Sequence, residues 1–186
     1  TTLIKLMLGF YEPVKGEISL NGTSLRRFSQ AEWRKRCGVV MQEGYIFADS
    51  IAGNIGLIDD TPEKEKIDRA VVTANIKEYI NSLPLGYNTR IGNDGQGLST
   101  GQKQRLLIAR AVYKDPDFIF FDEATNALDA TNEKIIMDNL GTFFKGKTVV
   151  IVAHRLSTVK NADQIVVLAK GEIAEKGTHK ELVEKK

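Results

Sequence analysis

Only one cysteine, Cys37, occurs in the 186 residues, so no disulfide can close within the chain and folding does not depend on an oxidising compartment. A cytoplasmic setting is the default that follows. Charge of one sign is scarce as well: 26 basic residues face 24 acidic ones, net +2, and basic residues gather only at Arg26–Arg27 and in Trp33–Arg36. That balance speaks against nucleic acid as the main partner. Apolar runs reach only a few residues, against the roughly 20 that span a bilayer, and the N-terminus carries no basic-then-apolar leader. Any role at a membrane therefore needs another segment to reach it. Internal repeats and low-complexity stretches are absent too. What is present, 42% apolar and 27% charged residues, suits one buried core of ordinary size and excludes a disordered or collagenous chain.

Along the chain, helical and strand patterns alternate, which predicts an α/β fold with a mostly parallel sheet flanked by helices. Leu3–Leu8 reads as a helix ended by Gly9, and Glu17–Leu20 as a strand closed by the Asn21, Gly22 turn. Gly38–Met41 is a short apolar strand. The polar stretch from about Pro62 to Leu83 predicts an inserted helical subdomain, with Pro62 in a first turn and Pro84, Gly86 at its end. Gly101–Tyr113 carries Leu106, Leu107, Ala109, Ala111 and Val112 along a helix that Asp115, Pro116 stop. Phe118–Phe121 and Thr148–Val152 are continuous β-formers, as strands buried on both faces require. A helix over Thr131–Phe144 would join them as a crossover. Ile165–Leu168 and Glu172–Lys176, separated by Lys170, Gly171, predict a closing hairpin.

The apolar strand ends in Asp122 and Glu123, which places two carboxylates at the C-terminal edge where open α/β sheets bind ligands. Neighbouring residues on an extended strand point opposite ways, so the two acids can hold different tasks. In nucleotide hydrolases one such acid works through magnesium, and a following glutamate can polarise the attacking water. Alone, such a pair more often merely caps a surface strand. Upstream, LSTGQ at a helix start offers free amides, a serine hydroxyl and the positive end of the helix dipole, all suited to a terminal phosphate. Alone, it is a plain cap built on Ser99 or Thr100. The succession GQGLSTGQKQRLLIARAV, then FIFFDEATNALD, makes both readings specific.

In this order the motifs resemble the nucleotide-binding domain of an ATP-binding cassette (ABC) transporter of exporter type, over essentially all 186 residues. LSTGQ resembles the family's signature, MQE around Gln42 its glutamine loop, and FIFFDE its Walker B strand. NALD at Asn126–Asp129 resembles the D-loop and VAHRLST around His154 the histidine switch. TRIGNDGQG sits where exporters contact the coupling helices of their transmembrane domains. IGNDGQGLSTGQ, FFDEATNALD and MLGFYEP look closest to bacterial exporters of peptides or bacteriocins, including those with a fused peptidase.

The resemblance implies a P-loop NTPase-like fold and assigns roles. Glu123 would be the general base and Asp122 would reach magnesium through its shell. His154 would contact the γ-phosphate of ATP and hold the water and Glu123 in register. A lone histidine at a strand end is otherwise more often structural. Gln42 would sense magnesium and the water. Ser99, Gly101 and Gln102 would serve the ATP of a partner subunit, with Asp129 along the same seam. Catalysis then needs a second nucleotide-binding domain in a head-to-tail pair, joined to transmembrane domains at the cytoplasmic face of the inner membrane.

Several positions depart from the family pattern. A P-loop reads GxxxxGK and then Ser or Thr, whereas this sequence opens at Thr1, Thr2, Leu3, which resembles the residues after that lysine. Thr1 would be the magnesium ligand and Thr2 a phosphate contact. The glycine loop, its lysine, the strand before it and the aromatic residue on adenine are absent, which implies one ABC ATPase domain lacking its N-terminal strands and poor ATP affinity of the chain alone. Residues 1–42 and 115–186 would form its core and about 43–114 the helical subdomain. Thr100 replaces a usual glycine, Asn126 a common serine, and Asn93 a frequent glutamate. Two alternatives to the motor domain stay open. One is a catalytically incompetent fragment that keeps only the signature and dimer surface as an interaction module. The other, a soluble ABC protein of DNA repair or translation, would require a long inserted coiled coil or tandem cassettes.

Overall fold

The computed structural model describes residues 1–92 and 97–184. Asn93, with the middle of TRIGNDGQG, lies outside the described residues. They divide into two compact units, Thr1–Val152 and a second that begins at Ala153.

In the first unit, α1 (Thr2–Met7) is followed by β1 (Ser19–Leu20) and β2 (Thr23–Ser24), then α2 (Gln30–Arg36) and β3 (Cys37–Val40). Next come β4 (Asp49–Ser50), α3 (Ile51–Ile55), α4 (Lys64–Thr73), α5 (Lys77–Ser82) and β5 (Arg90–Ile91). The unit closes with α6 (Thr100–Lys114), β6 (Phe118–Asp122), α7 (Ala130–Phe143) and β7 (Thr148–Val152). The second unit holds α8 (Leu156–Val159), the antiparallel hairpin of β8 (Ile165–Ala169) and β9 (Glu172–Gly177), and α9 (His179–Glu184). Lys170 and Gly171, both at positive φ, form its turn.

Three parallel strands in the order β3-β6-β7 make the central sheet. Among the described residues the other ladders are antiparallel pairs, so parallel order is confined to this sheet. With β6 in the middle, its period-2 alternation divides two cores. Ile119 and Phe121 face the helices α3 to α7, packing with Ile108, Ile136 and Leu140. Phe118 and Phe120 face the other way, toward Ile4, Leu8 and Trp33. Each fully buried side chain of this kind contributes about 1.5–3 kcal/mol, and a strand covered on both sides has no polar face to show, which is why FIFF reads as an unbroken apolar run. Asp122 continues the register of Phe120, opposite Val152.

Two expectations change, and one helix is new. The strand over Glu17–Leu20 is only Ser19–Leu20, turned at Asn21 and Gly22 into β2. The helical stretch 62–83 is two helices, because Asn75 adopts φ 51°. There Ile76 N–H bonds the Val71 carbonyl at 3.1 Å and Asn75 N–H the Val72 carbonyl at 3.0 Å, a Schellman stop. Finally, the basic run around Arg34–Arg36 is helix α2, capped by Ser29, and its Trp33 is buried. Trp33 donates Nε1–H to the Met7 carbonyl at 2.9 Å and packs on Phe118 at 4.8 Å between ring centres.

Candidate functional site

Asp122 is the last residue of β6 and is 1% exposed. Its Oδ2 accepts the Thr1 hydroxyl at 2.6 Å. Its Oδ1 lies 3.3 Å from the Thr1 backbone nitrogen and has no hydrogen-bond partner. A buried carboxylate oxygen left unsatisfied is costly unless a cation or water completes it. Beside it, the Thr1 hydroxyl offers a second hard oxygen at the start of α1. Two such ligands fit magnesium, which takes one or two protein oxygens and keeps several waters or substrate oxygens. Thr2 follows as the first residue of α1 and is exposed.

Glu123 leaves the strand abruptly. Its φ is 53°, left-handed for a residue with a side chain, and its N–H still reaches the Val152 carbonyl at 2.9 Å. Non-glycine residues in this region store roughly 1–3 kcal/mol of strain, held by the surroundings. The turn sends Glu123 off the sheet, and its Oε2 accepts from Asn126 Nδ2 at 2.5 Å. Asn126 N–H closes the turn on the Glu123 carbonyl at 3.1 Å. Asp129 then caps α7, accepting from the N–H groups of Thr131 (3.1 Å) and Asn132 (3.0 Å) and from Asn132 Nδ2 (2.6 Å). The Asn132 amide, above all, holds the Asp129 carboxyl below its ordinary range.

At the start of α6, Ser99 Oγ accepts from Gln102 N–H at 3.2 Å while Gln102 Oε1 accepts from Ser99 N–H at 2.9 Å. This capping box satisfies two orphan amides reciprocally. The cap read from the sequence is therefore on Ser99, not Thr100. Gly101 sits so near the 126–128 segment that a Cβ there would stand 3.4 Å from the Ala127 carbonyl. Gln42, exposed in the turn after β3, borders an open cleft of about 480 Å³ with Thr100, Lys103 and Gln104 on its far wall. Neither Asp122 nor Glu123 lines that cleft. His154 is exposed near the beginning of the second unit, just before α8. The first unit thus joins Thr1 to Asp122, Glu123 to Asn126, and Gly101 to the segment before Asp129, while Gln42 faces Thr100.

A family model described as ABC transporter matches residues 1–126. The chain belongs to the ABC transporter family. It is 48% identical over 183 residues to the Toxin RTX-I translocation ATP-binding protein of Actinobacillus pleuropneumoniae, covering 98% of this chain and 26% of that protein. To the Alpha-hemolysin translocation ATP-binding protein HlyB of Escherichia coli it is 45% identical over 183 residues, again 98% of this chain and 26% of the relative. Among solved structures, a bacterial Atm1-family ABC exporter with ATP bound superposes with a TM-score of 0.94 at 37% identity, over 99% of this chain and 32% of that one. The chain spans about a quarter of the length of these toxin-translocation relatives. The likeness settles the fold as that of ABC nucleotide-binding domains.

Sequence reasoning missed several polar residues that fix the loops and turns of this ABC transporter domain next to the candidate residues. Asn54 is fully buried and its amide bonds the carbonyls of Phe47 and Ser50, each at 3.0 Å. Arg110, on α6, donates to the carbonyls of Asn54 (2.8 Å) and Tyr45 (2.9 Å) and lies over the Phe47 ring. Burial pulls its guanidinium down to about 10. Together these two fix the loop that follows Gln42. Asn75 and Asn132 were missed as well. An asparagine between two helical patterns is a helix-stop signal, so Asn75 was findable; the partners of Asn132 were not.

Proposed function

We propose that this chain is the ATP-binding and ATP-hydrolysing motor domain of an ABC exporter, working as one half of a head-to-tail pair. The observation that carries the reading is the edge of β6. Asp122 is buried with one oxygen unsatisfied beside the Thr1 hydroxyl, and the adjacent Glu123 is turned away by its left-handed backbone. One carboxylate is thereby kept for a cation and the other for a proton.

In this reading Asp122 and Thr1 hold magnesium, with Gln42 as a further oxygen donor and Thr2 on the phosphates. The chemistry that magnesium supplies when bound is neutralisation of charge on the β- and γ-phosphate oxygens. Glu123 orients the attacking water and accepts its proton, and Asn126, bonded to its Oε2, fixes the direction of that carboxylate. His154 contacts the γ-phosphate. Ser99, Gly101 and Gln102 face the γ-phosphate held by the partner subunit, and Asp129 lies on the same seam. Hydrolysis removes the contact that favours the closed pair, so association and release become a population shift. Transmembrane domains at the cytoplasmic face of the membrane convert that shift into export. Among the described residues no helix is long and apolar enough to cross a membrane, so those domains come from other sequence. The toxin-translocation names of the relatives support a peptide or protein as the exported substrate.

The test is Glu123→Gln in the protein as its gene encodes it. Removing a general base costs about 10²- to 10⁴-fold in turnover, while ATP-dependent pairing is retained because the side chain's shape is kept. Turnover equal to wild type would remove Glu123 from its role. Loss of nucleotide binding together with turnover would instead make it a structural residue.

A further inference from the structure

A hydrogen-bonded chain joins the two segments that the proposed function turns toward the partner subunit. It begins at Arg105 in α6, whose Nη1 donates to the Asn75 carbonyl at 2.8 Å and whose Nε leans on the Gly101 carbonyl at 3.4 Å. From Asn75 the amide Nδ2 donates to Asn132 Oδ1 at 2.9 Å. Asn132 in turn donates Nδ2 to Asp129 Oδ2 at 2.6 Å and is capped by the same carboxylate. Asn75 is thus used on both sides, its carbonyl toward α6 and its side chain toward α7.

The backbone makes this double use possible. At φ 51° the elbow between α4 and α5 turns the Asn75 carbonyl out of the α4 ladder, and asparagine is among the few residues that adopt this region readily. A second bond anchors the same elbow to α7, since Asn139 Nδ2 donates to the Thr73 carbonyl at 3.2 Å. The chain therefore does not dangle between mobile ends.

The geometry points to Asn75 as a positioning residue that holds the Asp129 turn and the Ser99–Gln102 turn at a fixed spacing within one subunit. This rests on the reading of the chain as a pair-forming ATPase. In that reading both turns meet the same partner, and a wrong spacing between them weakens closure even when each turn is intact. Leu128 packs in the same apolar cluster as Leu106 and Leu107 of α6, a contact that is not directional. The Asn75 bridge adds a directional polar tie between the two turns.

The deciding variant is Asn75→Gly, which keeps the left-handed elbow and the carbonyl toward Arg105 but deletes the bond to Asn132. In the protein as its gene encodes it, turnover and ATP-dependent pairing are expected to fall together by roughly three- to thirty-fold, the usual range for coupling residues remote from the chemistry. Nucleotide affinity of the unpaired subunit and the thermal midpoint stay near wild type. Asn132→Ala, which removes this bond and also its own bond to Asp129, produces at least the same loss, and the double variant is no worse than Asn132→Ala alone, because the bond between Asn75 and Asn132 is already absent from it. Amide hydrogen exchange gives a readout without catalysis: in Asn75→Gly the amides of Gln102, Lys103, Thr131 and Asn132 exchange faster together, while those of β6 do not. Turnover within about twofold of wild type, an additive double variant, or unchanged exchange at Gln102 and Lys103 would each overturn the inference. If the wild-type protein hydrolyses no ATP, the motor reading falls first, and the exchange measurement still decides whether the bridge couples the two turns.

Discussion

The edge of β6 and the start of α6 both carry family motifs, yet they are built in opposite ways. At the strand edge the local chemistry is incomplete: Asp122 keeps a buried oxygen without a hydrogen bond and Glu123 sits in a left-handed conformation. At the helix start it is complete, because Ser99 and Gln102 satisfy each other in a capping box. An unsatisfied, strained arrangement persists only where something outside the chain completes it or selection maintains it. A satisfied one needs no ligand to explain it. The first region therefore points to a ligand from within a single subunit, whereas the second carries no such sign by itself.

Substitutions can separate the two. The largest effect is expected from Asp122→Asn. It removes the buried charge, so the folded chain should stay within about 1 kcal/mol of wild type by denaturant titration, since the amide can still accept from Thr1. Magnesium-dependent ATP turnover of the protein as its gene encodes it should fall by at least about 100-fold. A large loss of stability would instead mean that the carboxylate is chiefly structural and would undo the contrast.

Ser99→Ala should behave the other way. Losing an N-cap costs about 1 kcal/mol, readable as a lowered denaturation midpoint in the chain alone. If the serine also meets a partner's nucleotide, ATP-dependent pairing weakens by more than that loss explains. Equal effects on stability and pairing would leave Ser99 as a cap and nothing else.

The smallest effect concerns pH. Because Asn132 holds the Asp129 carboxyl below its ordinary value, the ionised cap stabilises the fold above the ordinary carboxylate range near about pH 4, and that contribution is lost as pH falls through the depressed value. Asp129→Asn should therefore flatten the acid limb of the stability profile relative to wild type. Identical limbs in the two proteins would show that Asp129 is not ionised preferentially in the folded state.

Much of this was legible in the residue order. Phe118–Asp122 and Thr100–Lys114 were placed within a residue or two because long apolar runs and a clear cap leave few alternatives. The expected strand at 17–20 shrank, since Asn21 and Gly22 turn the chain after two paired residues. Helix α2 went unread because its one buried residue, Trp33, stands among five polar or charged neighbours and Ala31 in Gln30–Arg36. The pairing of Asp49–Ser50 with Arg90–Ile91 joins segments some 40 residues apart, too short on either side to carry a periodic signal. Among the candidate residues, types and positions could be named in advance. The left-handed Glu123, the orphan Asp122 oxygen and the amide bridge from Asn75 to Asn132 could not.

Residue order by itself determined the family, the alternation of helices and strands, and the positions of the acids, glycines and histidine, because periodicity and motif spacing are local properties of a chain. Only the tertiary structure decided which polar groups are paired. Asn75 and Asn132 are separated by 57 positions and meet at 2.9 Å, and whether an amide or a carboxylate oxygen is satisfied depends on which distant element folding brings within hydrogen-bond reach.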